Sequence, residues 1–318
     1  MTPEFQEVPL ETVSGSDITF RISGTNGENR WVGIIREAGL LAPVLLRERQ
    51  DGRFQVVDGF SRREACRELG CSPVPAMVLP LSTPDGVCAF AAVSLNAVAR
   101  PLGLLETSRA IALLGPDLAW DARQDLVRRA LGLEAPIPRL KDWESLCRMP
   151  ATLQEALEAG ALAFPVALDL GRLEESNAKA LARLFLELPQ SLSRQRQILS
   201  LVREIAEREN LSPAQVLEDP GIGAAIREEK DKNAAATRVR AILHQRRYPT
   251  VDRETAERDR LVAGLRLPPR MKWEPPPFFE GTTHVLRLQF DSEKELSQHL
   301  SRTLDLLKNP ALKRVMGE

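Results

Sequence analysis

Near the start of the chain, two short runs of β-branched and aliphatic residues predict a pair of neighbouring strands. The runs are Pro43–Arg47 and Phe54–Val57, and the turn-prone Gln50-Asp51-Gly52 separates them. Asp58-Gly59 ends the second run. The pattern therefore predicts two strands of one sheet, with a new element directly after them.

A short helix is predicted immediately after the second strand. Ser61 is a good N-cap residue and Glu64 follows it at the spacing of a capping box, so we expect a helix from about Arg62 to Leu69. Free amides and the helix dipole favour an anion at such a terminus, where Gly59 permits close approach and Arg62 can donate two hydrogen bonds to phosphate oxygens. The residues predict a phosphate site, and the alternative is an ordinary strand–helix junction with exposed arginines.

Beyond residue 103, apolar residues recur at spacings of three and four, which predicts a series of helices. The expected helices are Leu104–Leu114, Ala122–Leu131, Trp143–Leu157, Ala178–Leu188, Arg194–Glu209 and Ala224–Arg246. The first links between them are tight and carry glycine and proline, which suits a helix-turn-helix. The later helices fit a bundle or a partner-binding surface.

The end of the chain is predicted to form a separate small unit. Leu267–Pro269 and Glu274–Pro277 predict a stiff, extended linker. Alternation over Thr283–Phe290 predicts a strand, and Ser292 with Glu295 predicts the start of a helix that carries leucines at helical spacing. Since one strand and one helix cannot bury both apolar faces, we expect this unit to pack on the rest of the chain or to dimerise.

Composition narrows the class of protein without selecting a function. A chain of 318 residues with 43% hydrophobic content can fill two or three cores. No apolar run is long enough to cross a bilayer, and the start, MTPEFQEVPLETV, lacks the basic and apolar regions of an export signal, so we expect a protein of the cytoplasm or nucleoid. The cysteines form no C-x-x-C pair and the histidines are scattered, which argues against a zinc site, and Cys66 is expected to be a small core residue.

The order of these elements resembles a known family. Over Ile34–Leu79 the chain has a helix, Gly-Leu-Leu-x-Pro, a strand, a turn, a strand, Asp-Gly-x-x-Arg, a helix and a Val-Pro strand. This order is similar to the amino-terminal domain of the ParB family of partition proteins, which is shared with sulfiredoxin. Ser94–Arg100, followed by Leu105-Glu106, resembles the family's Glu-Asn-x-Gln-Arg box, and Leu140–Leu173 resembles the end of its helix-turn-helix region.

The resemblance implies a site for CTP with Mg²⁺. Gly59 and Arg62 match the family's Gly-Glu-Arg-Arg box and would hold phosphates, and Asn96 matches the Asn of the second box and would orient a phosphate or its water. Arg63 and Arg100 would add positive charge nearby.

Several positions depart from the family's pattern. Phe60 and Ser61 replace the Glu and first Arg of the first box, which also disfavours the sulfiredoxin reaction because the reactive Cys belongs there. In the second box, Leu95, Val98 and Ala99 stand where the family has Glu, Gln and Arg. These replacements weigh against Mg²⁺-dependent CTP hydrolysis more than against nucleotide binding.

DNA binding is the second activity that the resemblance implies. The candidate recognition helix, about Pro138–Cys147, offers Arg139 and Lys141 but also Asp142 and Glu144, and is nearly neutral. Residues 116–250 carry 20 Lys and Arg against 20 Asp and Glu, so this region has no net positive field. Local basic patches remain candidates for DNA contact, among them Arg128 and Arg129.

The sequence thus predicts an α+β protein of three parts. Residues 1–102 form a ParB/sulfiredoxin-like nucleotide-binding domain, residues 103–265 a helical domain of helix-turn-helix type, and residues 266–318 a proline-rich linker with a small β-α unit. The expected function is a homodimeric, CTP-gated clamp on DNA in chromosome or plasmid partition, with a ParA-type ATPase as a further partner. The alternatives are an interaction protein that has lost DNA or CTP binding, and a nuclease or phosphotransferase that uses Asp58 or Glu64.

Overall fold

The computed structural model describes residues 2–24, 28–249, 259–274, 283–309 and 312. The chain divides into two compact units, residues 1–236 and residues 237–318. The first unit contains a four-stranded sheet with helices and a larger all-helical region, and the second contains a two-stranded sheet and a helix. This confirms the predicted α+β class with a helical middle region, whereas the domain limits at 102/103 and 265/266 stay predictions.

The first sheet has the strand order β1-β4-β2-β3. Its strands are β1 Glu4–Val8, β2 Val44–Glu48, β3 Phe54–Asp58 and β4 Val74–Leu79. The pairs β1/β4 and β2/β3 are antiparallel, and β2/β4 is parallel. The two strands predicted from the sequence are therefore confirmed as neighbours, and the Val-Pro strand lies beside the first of them.

Helices cover both faces of this sheet. They are α1 Glu28–Ala38, α2 Phe60–Leu69 and α3 Asp85–Ala99. Successive strand residues point to opposite faces, so Val56 packs in the core with α1 and α2 while Val57 packs against α3. Cys66 belongs to the first of these cores, as predicted, and burial raises the pKa of its thiol to about 11.

The predicted start of α2 is wrong. The helix begins at Phe60, its N-cap is Gly59 with φ 96°, and no side chain caps it. Ser61 lies inside the first turn, and Glu64 pairs with Arg63 and Arg67 instead of closing a capping box. The left-handed backbone conformation of Gly59 lets the helix begin at the residue directly after it. Glycine adopts that conformation readily.

Ten helices follow α3 between residues 104 and 247. They are α4 Leu104–Leu113, α5 Trp120–Leu131, α6 Ile137–Ser145, α7 Ala151–Glu158, α8 Phe164–Leu170, α9 Glu175–Glu187, α10 Leu192–Glu209, α11 Pro213–Leu217, α12 Pro220–Glu228 and α13 Lys232–Arg247. A five-residue link joins α5 to α6, and α5 ends at Gly132 with φ 66°. These helices confirm the predicted helical region.

Two predicted helices prove to be divided. The predicted helix Trp143–Leu157 covers the end of α6, a 3-10 turn at Leu146–Arg148 and most of α7. It is divided because Pro150 precedes α7 and cannot continue a helix. Ala224–Arg246 spans α12 and α13. Here the Asp231 carboxylate accepts a hydrogen bond from the Asn233 amide at 2.9 Å and starts a new helix.

The second unit contains a strand that the sequence analysis missed. Its sheet pairs β5 Met271–Glu274 with β6 Val285–Leu288 in antiparallel register, so the predicted strand is confirmed but does not stand alone. The sequence places Glu274 in a linker because prolines follow it; Pro275–Pro277 lie outside the described residues. The predicted helix is α14 Glu293–Leu306, with the Ser292 hydroxyl accepting from the Glu295 amide at 3.2 Å. None of the described helices is long and apolar enough to span a membrane.

Candidate anion-binding site

A cavity of about 1100 Å³ lies in the first unit where α2 begins and α3 ends. Its charged and amide side chains include Arg30, Asp58, Arg62, Asn96, Arg100, Glu106 and Glu158, and its apolar wall includes Trp31, Ile34, Phe60, Leu95 and Leu104. Four of the five predicted nucleotide-binding residues, Gly59, Arg62, Asn96 and Arg100, line it. The fold thus brings together residues that are 41 positions apart in the chain.

Gly59 occupies a position that excludes any side chain. Its φ of 96° is strained for other residues, and a Cβ there would lie 3.0 Å from the Val44 side chain and 3.1 Å from the Arg62 guanidinium. Glycine is therefore the residue that fits at the start of α2, between Val44 and the Arg62 guanidinium. The phosphate site predicted here stays a prediction.

Arg62 is held firmly at the cavity wall. Its guanidinium donates to the Asp58 carboxylate at 2.7 Å and to the carbonyls of Pro43 and Ala42 at 2.8 and 3.1 Å. The side chain also lies over the Trp31 ring, 5.9 Å from its centroid. Only 15% of the Arg62 side chain and 17% of the Asp58 side chain are exposed, so this ion pair is well shielded from water.

Asp58 joins Arg62 to Asn96. The Asn96 amide donates to the other Asp58 oxygen at 2.8 Å and to the Ala92 carbonyl at 2.9 Å. Asp58 therefore does more than end a strand, which is a role that the sequence analysis missed. The local sequence carries no signal for it, because Asn96 is 38 residues away and reaches Asp58 only through the tertiary fold.

A second arginine–carboxylate pair lies on the same cavity. Both guanidinium nitrogens of Arg100 donate to the Glu106 carboxylate at 2.6 Å, and the Gly103 amide donates to it at 2.9 Å. The Arg100 hydrogen bonds, opposed in part by burial and supported by the Gly103 amide, hold the pKa of Glu106 below its usual value. This pair spans the connection between α3 and α4.

Arg63 lies outside the cavity, unlike its neighbour Arg62. Its guanidinium donates to Glu64 at 2.9 Å and packs against Gly15, and only 13% of the side chain is exposed. Successive helical residues differ by about 100° around the axis, so the two arginines point in different directions. Glu64, one of the two carboxylates considered for catalysis, is also absent from the cavity lining.

The predicted DNA-contacting residues lie on α5 and α6. Arg128 and Arg129 are about half exposed and both pair with Asp125. Arg139 stacks on Phe164 and Trp143, with its guanidinium carbon 4.3 and 5.3 Å from the two ring centroids. The Lys141 ammonium lies 5.5 Å from the centroid of the Trp120 ring.

The charge predicted for the recognition helix needs correction. Glu144 is buried and accepts hydrogen bonds from Arg123 at 3.0 Å and Arg148 at 2.7 Å, so it does not face solvent. Arg139, Lys141 and Arg148 are all exposed. Together with the half-buried Asp142, the outer surface of α6 and its following turn therefore carries three basic side chains and one acidic side chain, a positive excess.

Comparison with known proteins finds a known domain at the start of the chain. Residues 6–92 match the model of the ParB N-terminal domain. A probable plasmid-partitioning protein ParB from Thermus thermophilus is 29% identical over 179 residues, which is 46% of this chain and 58% of that protein. The chain therefore contains a ParB N-terminal domain. It spans 58% of the curated relative's length, which is less than two thirds.

Solved ParB structures are also similar. A C-terminally truncated Caulobacter crescentus ParB complexed with CTP-gamma-S is 23% identical, with a TM-score of 0.27 and coverage of 57% of this chain and 99% of that one. The same protein complexed to the centromeric parS site is 19% identical, with a TM-score of 0.35 and coverage of 60% and 96%. A Pnob8-like ParB-N domain is 15% identical, with a TM-score of 0.34 and coverage of 77% and 98%. Scores this low establish no common arrangement.

The side chains that line this cavity do not suit Mg²⁺, the ion that the ParB resemblance implies. Leu95 replaces the family's carboxylate and is 48% exposed at the cavity wall. Both oxygens of Asp58 and both oxygens of Glu106 already accept hydrogen bonds. In the described part of the chain, no group of three or more His, Cys, Asp or Glu residues could hold a metal ion. We therefore assign no role to Mg²⁺ in the function of this cavity.

Proposed function

We propose that this protein is a ParB-type partition protein that binds CTP in the cavity and binds DNA through α5 and α6. The observation that carries the nucleotide site is the placement of Gly59, Arg62, Asn96 and Arg100 on one cavity. A glycine at the start of a helix and two fork-shaped arginine donors suit the phosphates of a nucleotide. CTP is the nucleotide to test first, since the Caulobacter crescentus ParB is complexed with CTP-gamma-S.

The partition role includes a homodimer and a ParA-type ATPase as partners, in the cytoplasm or on the nucleoid. Self-association is supported by α14 and the residue that follows it, where Leu300, Leu304 and Leu307 are between 50% and 70% exposed at helical spacing. An apolar stripe of this kind is typical of a helix that packs against another surface.

Calorimetric titration with CTP tests the nucleotide site. We expect the purified protein to bind CTP with a Kd in the micromolar range typical of a few charge-assisted hydrogen bonds, about −8 kcal/mol, and to bind ATP more weakly. The titration is run in Mg²⁺ and in EDTA. Absence of CTP binding at millimolar concentration in both buffers would remove the nucleotide proposal and favour the interaction-protein alternative, which the 87% exposed Val98 on α3 supports.

DNA binding by the exposed basic surface is tested by fluorescence anisotropy with a duplex. Replacing Arg139 and Lys141 together by alanine is expected to weaken binding by about 1–3 kcal/mol and to lower the salt dependence, because each phosphate contact contributes about one unit of slope. Arg172→Ala removes an equally basic residue with a 75% exposed side chain outside α5 and α6. An equal loss in this control would show that only overall charge matters and would contradict a site on α6.

A catalytic role is not proposed for Asp58. Each of its carboxylate oxygens accepts a hydrogen bond from a fixed donor, Arg62 or Asn96. A carboxylate that acts as a base or nucleophile must instead reach the reacting atoms.

A further inference from the structure

The two arginines on the cavity that the nucleotide proposal uses are each bonded to a carboxylate of the protein itself. Arg62 pairs with Asp58 at 2.7 Å, and Arg100 pairs with Glu106 at 2.6 Å through two nitrogens. Carboxylates and phosphates take the same hydrogen bonds from a guanidinium fork. A phosphate that binds the guanidinium donors facing these carboxylates therefore competes with a carboxylate that already accepts from them.

The overall charge of the cavity wall gives no net attraction to an anion. Its arginines are Arg30, Arg62 and Arg100, and its carboxylates are Asp58, Glu106 and Glu158. The three positive and three negative charges cancel. Attraction of an anion therefore depends on separating an arginine from its carboxylate, and not on a net positive field. A ligand with one phosphate can replace one carboxylate, whereas a polyphosphate chain carries enough charge to engage both arginines.

We infer that Asp58 and Glu106 are specificity-determining residues that compete with ligand phosphates for Arg62 and Arg100 and so select a nucleotide polyphosphate over a monophosphate. This inference rests on the proposed nucleotide function. It assigns to the two carboxylates a role opposite to that of metal ligands: they reduce affinity, and they reduce it more for ligands with little charge. The exchange breaks two ion pairs and forms two others, with no covalent step.

Two conservative variants separate these roles. Glu106→Gln keeps an acceptor for the Gly103 amide, and Asp58→Asn keeps the size of the side chain and an acceptor for one donor. In each variant the neighbouring arginine loses its charged competitor. We expect CTP to bind about tenfold more tightly in EDTA, corresponding to one charge-assisted hydrogen bond, and the preference for CTP over CMP to fall.

Glu64→Gln is the matched control. Glu64 also lies on α2 and pairs with two arginines, Arg63 and Arg67, but neither Glu64 nor these partners line the cavity. This variant changes the net charge of the protein by the same amount as Glu106→Gln. A gain in CTP affinity that Glu64→Gln shares equally would come from general electrostatics and would overturn the inference.

The titrations with CTP, CMP and inorganic tripolyphosphate are run in EDTA and in Mg²⁺ for every variant. Tighter CTP binding and weaker discrimination in Glu106→Gln and Asp58→Asn support the inference. CTP binding that is unchanged or weakened in both variants overturns it while leaving the nucleotide proposal intact, and weakening confined to Mg²⁺ identifies metal ligands instead. If neither the wild type nor any variant binds CTP, the nucleotide proposal fails and the inference fails with it.

Discussion

Replacing Arg123 by alanine is expected to lower the free energy of unfolding of the first unit by about 3 kcal/mol, because it leaves the buried Glu144 carboxylate with only the exposed Arg148 as an ionic partner. Arg123 is 4% exposed and donates to the Glu144 carboxylate at 3.0 Å. It also donates to the carbonyls of Ile111 and Leu114 at 2.8 and 3.1 Å, at the end of α4. One side chain therefore ties α4, α5 and α6 together.

The double variant Arg123→Met/Glu144→Leu removes both charges and distinguishes the pair from its individual members. Replacing a buried ion pair by apolar residues of similar volume is often neutral or stabilising, whereas breaking the pair is strongly destabilising. We therefore expect the double variant to be more stable than Arg123→Ala, although the two α4 carbonyls still lose their donor. Urea unfolding is followed by tryptophan fluorescence, since the Trp120 ring centroid lies 4.1 Å from the Arg123 guanidinium.

Arg128→Ala provides the control on the same helix. The Arg128 side chain is 56% exposed and pairs locally with Asp125, so its removal should change stability by less than about 0.5 kcal/mol. If Arg123→Ala unfolded at the same urea concentration as Arg128→Ala, the buried pair would contribute nothing to the packing of α4 to α6. Another interaction would then have to hold α6 in the orientation that exposes its basic side chains.

Periodicity is enough to predict several elements of the fold. β2, β3, α4, α5, α9, α10 and α14 lie close to their predicted positions, because each carries a regular apolar pattern and a clear end. Local errors arose where one residue overrides the pattern. Pro150 divides a continuous apolar stripe, and Gly59 starts α2 earlier than the capping pattern around Ser61 suggests. The strand Met271–Glu274 was missed because it is four residues long and prolines lie on both sides.

The site was predicted less completely than the fold. The family's boxes led to Gly59, Arg62, Asn96 and Arg100, which the structure gathers on one cavity. The hydrogen-bond partners of these residues cannot be predicted from sequence spacing, since the Asp58–Asn96 hydrogen bond joins segments that are distant in the chain. Glu144 shows the same limit: it counts as a surface charge in the sequence, but the fold buries it beneath a basic surface.

Replacing Arg62 by alanine is expected to weaken CTP binding by about a hundredfold or more, the equivalent of two charge-assisted hydrogen bonds. This variant is also expected to cost stability, because the Arg62 guanidinium bonds three protein acceptors. Arg62→Ala leaves Asp58 without its cation and leaves the carbonyls of Ala42 and Pro43 without a donor. We expect a loss of about 2 kcal/mol in the free energy of unfolding.

The double variant Asp58→Asn/Arg62→Gln separates binding from stability. It removes both charges together and retains side chains that can form hydrogen bonds, so most of the stability lost in Arg62→Ala should return. CTP binding should not return, because no guanidinium of α2 then lines the cavity. Binding is measured by calorimetry and stability by urea unfolding on the same preparations.

Arg67→Ala controls for the loss of a positive charge on α2. The Arg67 side chain is 62% exposed, pairs with Glu64 and does not line the cavity, so neither CTP binding nor stability should change appreciably. Wild-type CTP affinity in the Asp58→Asn/Arg62→Gln variant would remove Arg62 from the nucleotide site. Loss of binding in a variant that unfolds like the wild type would instead locate phosphate recognition at this guanidinium, because the fold around it would be intact.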